Sequence, residues 1–185
     1  MGGLQATVTF TNGDVQGCIW APTAGLAGGC SAAGFNIGQE GDTFDNSNPW
    51  TLTNMTTFAT ISVLELDGSP LRGSDSGVVF DRTFDGFVGT LGSALGKDAN
   101  GTTTDASDAS AVYRNLVAVQ PNARVGDIFH TLIIRFSGNG LGAGQSGVFA
   151  ADSDTIGTFV PEPGSIALVG LGLLILARKG YARRS

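Results

Sequence analysis

Charge is scarce in this chain. Only 14% of its 185 residues are Asp, Glu, Lys or Arg, against about 25% in an ordinary soluble domain, which excludes a helical bundle with charged outer faces. Histidine occurs once and cysteine twice. A single His without a CxxC pair is too little for a structural zinc site, and no GxSxG motif accompanies it. Basic residues are short too: ten against sixteen acidic, a net of −6. That sign is wrong for phosphate backbones and excludes nucleic acid as a partner.

Against these shortages stand 29 glycines, about twice the usual share of roughly 7%, and an uneven placement of charge. Residues 1–159 hold six basic and fifteen acidic side chains, whereas 160–185 hold four basic and one acidic. An acidic body is joined to a short basic tail, the pattern of a tail that meets something the body does not.

The tail reads VPEPGSIALVGLGLLILARKGYARRS from Val160. In Val160-Pro161-Glu162-Pro163 both prolines lack an N–H and push the preceding residue towards extended geometry, so the segment is not helical. From Gly164 to Ala177 no charge occurs. Ser165 can cap the first turn of a helix here, and Leu168, Leu171, Leu173, Leu174 and Leu176 make it apolar all round. As a helix, 164–177 spans about 21 Å, short of a hydrocarbon core of about 30 Å. Arg178, Lys179, Arg183 and Arg184 can snorkel and lengthen it. Their sign predicts a cytoplasmic C-terminus and a body on the other side. A run of this length also suits a buried core helix, but its terminal position and cationic end favour a membrane anchor.

A Pro-Glu-Pro triplet, an apolar helix and a basic end, in that order at the C-terminus, resemble the PEP-CTERM sorting signal of Gram-negative bacteria. The matching positions are Val160, Pro161, Glu162, Pro163, Ser165, the Leu168–Leu176 core and the arginines beyond it. The resemblance implies export and brief residence in the inner membrane. Processing at or near the triplet by an exosortase, a membrane-embedded cysteine transpeptidase, would follow. The final location implied is the cell surface or extracellular matrix, with exopolysaccharide as a further partner there. Such proteins carry an N-terminal secretory signal, and the opening MGGLQATVTF has neither a basic n-region nor an apolar h-region. Ala6 also stands where myristoylation needs Ser or Thr. The expectation is that the true start and its leader lie upstream.

The body, 1–157, is expected to be an antiparallel β-sandwich of jelly-roll type, with 158–185 as sorting signal. Leu4, Ala6, Val8 and Phe10 alternate with Gln5, Thr7 and Thr9, and Asn12-Gly13 follows as a hairpin signal. Further strands are expected at 50–54, 58–66, 78–82, 112–119, 128–136, 148–150 and 155–159, about eight in all, with turn residues between them. The stretch 105–119 also fits helical spacing in part; its second half is taken as strand. Fragments at 48–54, 78–82, 89–96, 126–136 and 149–154 are similar to the sandwich often found ahead of such tails. That similarity brings no catalytic residues.

In an exported acidic domain Cys18 and Cys30 are expected to form a disulfide. His130 alternates onto the face of Ile128, Leu132 and Ile134, as a packing residue rather than a catalytic base. Gly142, Gly144 and Gly147 spell GxGxxG but lead into a strand, so no helix N-terminus holds a phosphate and a hairpin tip is expected. Asp42 with Asp45, Asp98 with Asn100, Asp105 with Asp108, and Asp152 with Asp154 are expected as solvated turn carboxylates. Thr103 breaks the EF-hand order. Two N-x-T sequons, at Asn54 and Asn100, carry no information in a bacterial host.

The expected function is that of a non-enzymatic surface or matrix protein without cofactor or metal, itself the substrate of an exosortase. A carbohydrate- or Ca²⁺-binding module using Asp45 and Trp50 is the alternative, and a small secreted hydrolase a third.

Overall fold

The computed structural model describes residues 1–23, 27–41, 50–69, 76–82, 109–120 and 123–157. The first hairpin follows directly from its sequence. In β1 (Gln5–Phe10), Ala6, Val8 and Phe10 are buried while Gln5, Thr7 and Thr9 face outward. Gly13 turns the chain at φ 90°, and the Asp14 N–H donates to Asn12 Oδ1 at 3.0 Å. β2 (Val15–Ile19) then returns in register, Gln5 opposite Ile19 and Thr9 opposite Val15.

Ten more strands follow. They are β3 (Ala21–Pro22), β4 (Gly28–Ser31), β5 (Phe35–Gln39), β6 (Trp50–Asn54), β7 (Ile61–Asp67) and β8 (Ser76–Asp81). Then come β9 (Ala109–Gln120), β10 (Ala123–Phe136), β11 (Ser146–Phe149) and β12 (Asp152–Gly157). All pairings are antiparallel. One sheet runs β12-β8-β10-β7-β1-β2, with β9 also on β10; the other runs β11-β6-β5-β4-β3. The chain therefore crosses between sheets after β2, β6, β10 and β11.

Aromatic side chains fill the space between the sheets. Trp50 of β6 has Trp20 at 5.0 Å, Phe149 stacked at 5.9 Å and Phe80 of the opposing sheet at 6.2 Å between ring centroids. All four rings are buried, as are Phe10, Phe35, Ile37, Leu64 and Leu66. Trp50 Nε1 donates to the Ala151 carbonyl at 2.9 Å, which satisfies its one polar atom and ties β6 to the residue before β12.

Two further ties cross between sheets. Cys18 of β2 is bonded to Cys30 of β4, Cα to Cα 5.8 Å, and Gln16 Oε1 accepts the Gly34 N–H at 2.7 Å. Closing a loop of this length removes unfolded-state entropy worth about 3 kcal/mol. A Cys18→Ser, Cys30→Ser double variant is expected to lose stability of that order. Paired urea denaturation curves in the absence of reductant check this, and coincident midpoints would refute it.

The structure departs from the sequence expectations in several places. Among the described residues there are twelve strands where about eight were expected; β3, β4 and β5 were not anticipated, and β2 was signalled only through the Asn12-Gly13 turn. The strand expected from Phe58 starts at Ile61, and Phe58 is 85% exposed in the preceding loop. The stretch 138–147 is not a hairpin tip. It carries the chain between sheets, pinned where Leu141 bridges Ile61 and the Gly144 N–H donates to the Asn54 carbonyl at 2.9 Å. The helix-or-strand ambiguity at 109–120 resolves as strand, because β10 offers a partner along its length.

Candidate functional site

β12 is the last described element and connects the body to the tail. It pairs with β8 over six positions, from Asp152 opposite Asp81 to Gly157 opposite Ser76. Among the described residues its other edge is unpaired. Asp152 and Asp154 therefore sit in a strand and not in a turn, which corrects the expectation for this pair. Asp152 is 3% exposed and Asp81 is fully buried. Carboxylate oxygens of Asp81, Asp152 and Asp154 lie within 4.8 Å of one another. Such oxygens suit a hard cation, but Ca²⁺ takes about six to eight, so these three supply part of a shell and alone assign no ligand. Ser153, between the two acids, donates from Oγ to Met1 Sδ at 3.0 Å.

Asp81 was missed at the sequence level. Its only signal is a carboxylate closing the otherwise apolar run Val78-Val79-Phe80; nothing local links it to residues some seventy positions onward. The other acidic pairs, Asp42 with Asp45, Asp98 with Asn100 and Asp105 with Asp108, lie outside the described residues.

His130 sits where three strands converge. The Gly68 N–H donates to the His130 carbonyl at 2.8 Å and the Gly68 carbonyl accepts the Val78 N–H at 2.7 Å. A Cβ on Gly68 would run into the Val78 carbonyl, so only glycine fits. The imidazole is half-buried, with Nδ1 at 3.1 Å from the Val78 carbonyl oxygen, and Ile128, Leu132 and Ile134 of its face are buried. This is a packing position.

Trp50 is fully buried and offers no platform for stacking a sugar. A groove of about 620 Å³ does open on the five-stranded sheet, lined by Ser31, Asn36, Gly38, Glu40 and Thr51 among others. Its hydroxyls and amides are partly engaged with each other, as in Asn36 Nδ2 donating to Ser31 Oγ at 2.6 Å, and among the described residues no aromatic ring lines it.

The tail residues singled out above, Val160 to Pro163, the run 164–177 and Arg178, Lys179, Arg183 and Arg184, lie outside the described residues. Among the described residues no helix is long and apolar enough to cross a membrane. What the body delivers to this tail is an edge strand ending at Gly157. Immediately beyond, residues 159–184 match the PEP-CTERM protein-sorting motif. A chain with this motif is marked for export towards the cell envelope or surface, and the motif is of the kind exosortases recognise. No curated protein and no solved structure matches the chain.

Proposed function

We propose that the chain is a structural protein of the cell surface or extracellular matrix, without catalytic activity, delivered and cut through its C-terminal signal. The observation that carries this reading is the sorting motif at 159–184 following directly on the folded body. Pro161, Glu162 and Pro163 serve as the label. Two fixed φ angles hold the carboxylate on a segment that cannot wind into the helix beyond it. Residues 164–177 act as a temporary anchor, and Arg178, Lys179, Arg183 and Arg184 hold its cytoplasmic end.

The chemistry is the enzyme's. Its cysteine thiolate attacks a backbone carbonyl at or near the triplet, the C–N bond breaks, and the amine leaves, protonated, with the helix. The acyl group then passes from sulfur to water or to an amine, which gives up a proton. The body's part is to survive outside the cell, which a disulfide joining two sheets and a core of packed aromatics support.

Mass spectrometry of the protein recovered from a culture of its own host tests this. A terminus at or near 161–163 in surface or medium fractions is expected. Chain intact to Ser185, found only in soluble cytosolic material, would overturn it.

A further inference from the structure

The sorting label lies close to a strand that is already paired. From Gly157 to Glu162 is five residues, and however they are arranged they reach at most about 18 Å. A body whose two sheets alone stand about 10 Å apart cannot be held far from the bond to be cut. Enzymes that cut chains bind them extended, and their own backbone groups take up the hydrogen bonds of the bound strand. They need several residues of free chain on the amino side of that bond. Here those residues run back into β12, whose hydrogen bonds are committed to β8 as far as Gly157 opposite Ser76.

The β12 seam is suited to opening from its C-terminal end. It is an edge strand with β8 as its one partner among the described residues. Asp152 to Thr155 bring no apolar side chain to the seam, and Thr155 is exposed. Releasing that end gives up ladder hydrogen bonds to a single neighbouring strand, as a segment that opens locally without global unfolding does.

We infer that processing passes through a state in which the C-terminal end of β12 has left β8, so the stability of this seam sets the rate at which the folded protein is cut. The inference rests on the proposed function above. It adds that the folded body restrains its own processing.

Pulse–chase labelling of the full chain in its own host tests this with three variants. One carries an insert of about eight Gly and Ser residues between Gly157 and Thr158. The second carries Ser76→Cys with Gly157→Cys, registered partners that clamp β12 to β8. The third combines both. If the opened state holds about a tenth of the population, supplying free chain raises the rate roughly tenfold. The insert is expected to speed cutting by that order, the closed clamp to slow it at least as much, and the insert to restore cutting in the clamped chain. A chain whose clamp is shown closed by thiol counting, yet cut at the unmodified rate, overturns the inference and leaves the exosortase reading intact. If the clamped variant does not fold, the insert alone decides, since it leaves the body's sequence unchanged; an unaltered rate overturns the inference. Loss of all dependence on the host's exosortase would instead refute the proposed function, and this inference with it.

Discussion

Replacing Pro161, Glu162 and Pro163 together by alanine is expected to leave the chain uncut and retained in the membrane. The reason is conformational as much as chemical. Alanine is the best helix former and proline the worst, by about 3 kcal/mol per residue. Three alanines ahead of Gly164-Ser165 would remove the prolines that bar the proposed anchor, 164–177, from winding as a helix further towards the body. The segment the enzyme must hold extended would then gain internal hydrogen bonds, and the only acidic side chain of the tail would be gone. Loss of several recognition contacts at once should lower the cutting rate by at least about a hundredfold. Glu162→Gln separates the two contributions. It keeps both prolines and the side-chain length, so cutting near the original rate would assign recognition to backbone shape, and a drop close to that of the triple variant would assign it to charge. Immunoblots of membrane and medium fractions read both. Normal cutting of the triple-alanine chain would remove the label role from this triplet.

The tail was legible because everything in it is local. Rigid dipeptides, an uncharged run and a cationic end need no partner to be recognised, and the family match falls on the same residues. The β1–β2 hairpin was legible for a similar reason: period-2 burial and an Asn-Gly turn are both written within fifteen residues. The three strands between β2 and β6, and the residue pattern inside β2 itself, show where such signals stop. β4 is Gly-Gly-Cys-Ser, which has no alternation to read. It is a strand because β3 and β5 flank it, and because at Gly28 a side chain would collide with the Trp20 indole. β2 carries its exposed Val15 and Ile19 on the outward face, so its polarity pattern is inverted relative to a core strand. The acidic cluster is harder still. Asp81 meets Asp152 only because β8 and β12 pair, and no residue near either announces that pairing.

Asn54 belongs to the same class of hidden residue, and its replacement is expected to be among the most damaging in the body. At the level of motifs it is the first residue of an Asn-Met-Thr sequon. In the structure it is fully buried at the end of β6. Its Nδ2 donates to the Ala59 carbonyl at 2.8 Å and the Leu141 carbonyl at 2.9 Å. Its Oδ1 accepts the Thr56 N–H at 3.0 Å and the Thr56 hydroxyl at 2.8 Å. One amide thus closes the 55–59 loop and holds it to the inter-sheet crossover, with Met55 and Phe58 left exposed on its outside. Asn54→Asp keeps the shape but turns two donors into an acceptor facing two carbonyls. One oxygen of the buried carboxylate keeps the Thr56 N–H and hydroxyl as donors, but the other faces the two carbonyls with none, and a loss of about 3–5 kcal/mol is expected at neutral pH. The loss should be pH-dependent in a definite direction. Protonation of the introduced carboxyl restores one donor, so its pKa is raised on folding. The added stability is then present at acid pH and disappears as pH rises through the folded-state value. Asn54→Ala removes the same bonds without introducing a charge, and its deficit should stay constant over that range. Thermal melts of both variants beside the parent, at acid and neutral pH, decide the matter: parallel pH dependence of the two variants would show that the amide donors at Asn54 do not hold the loop.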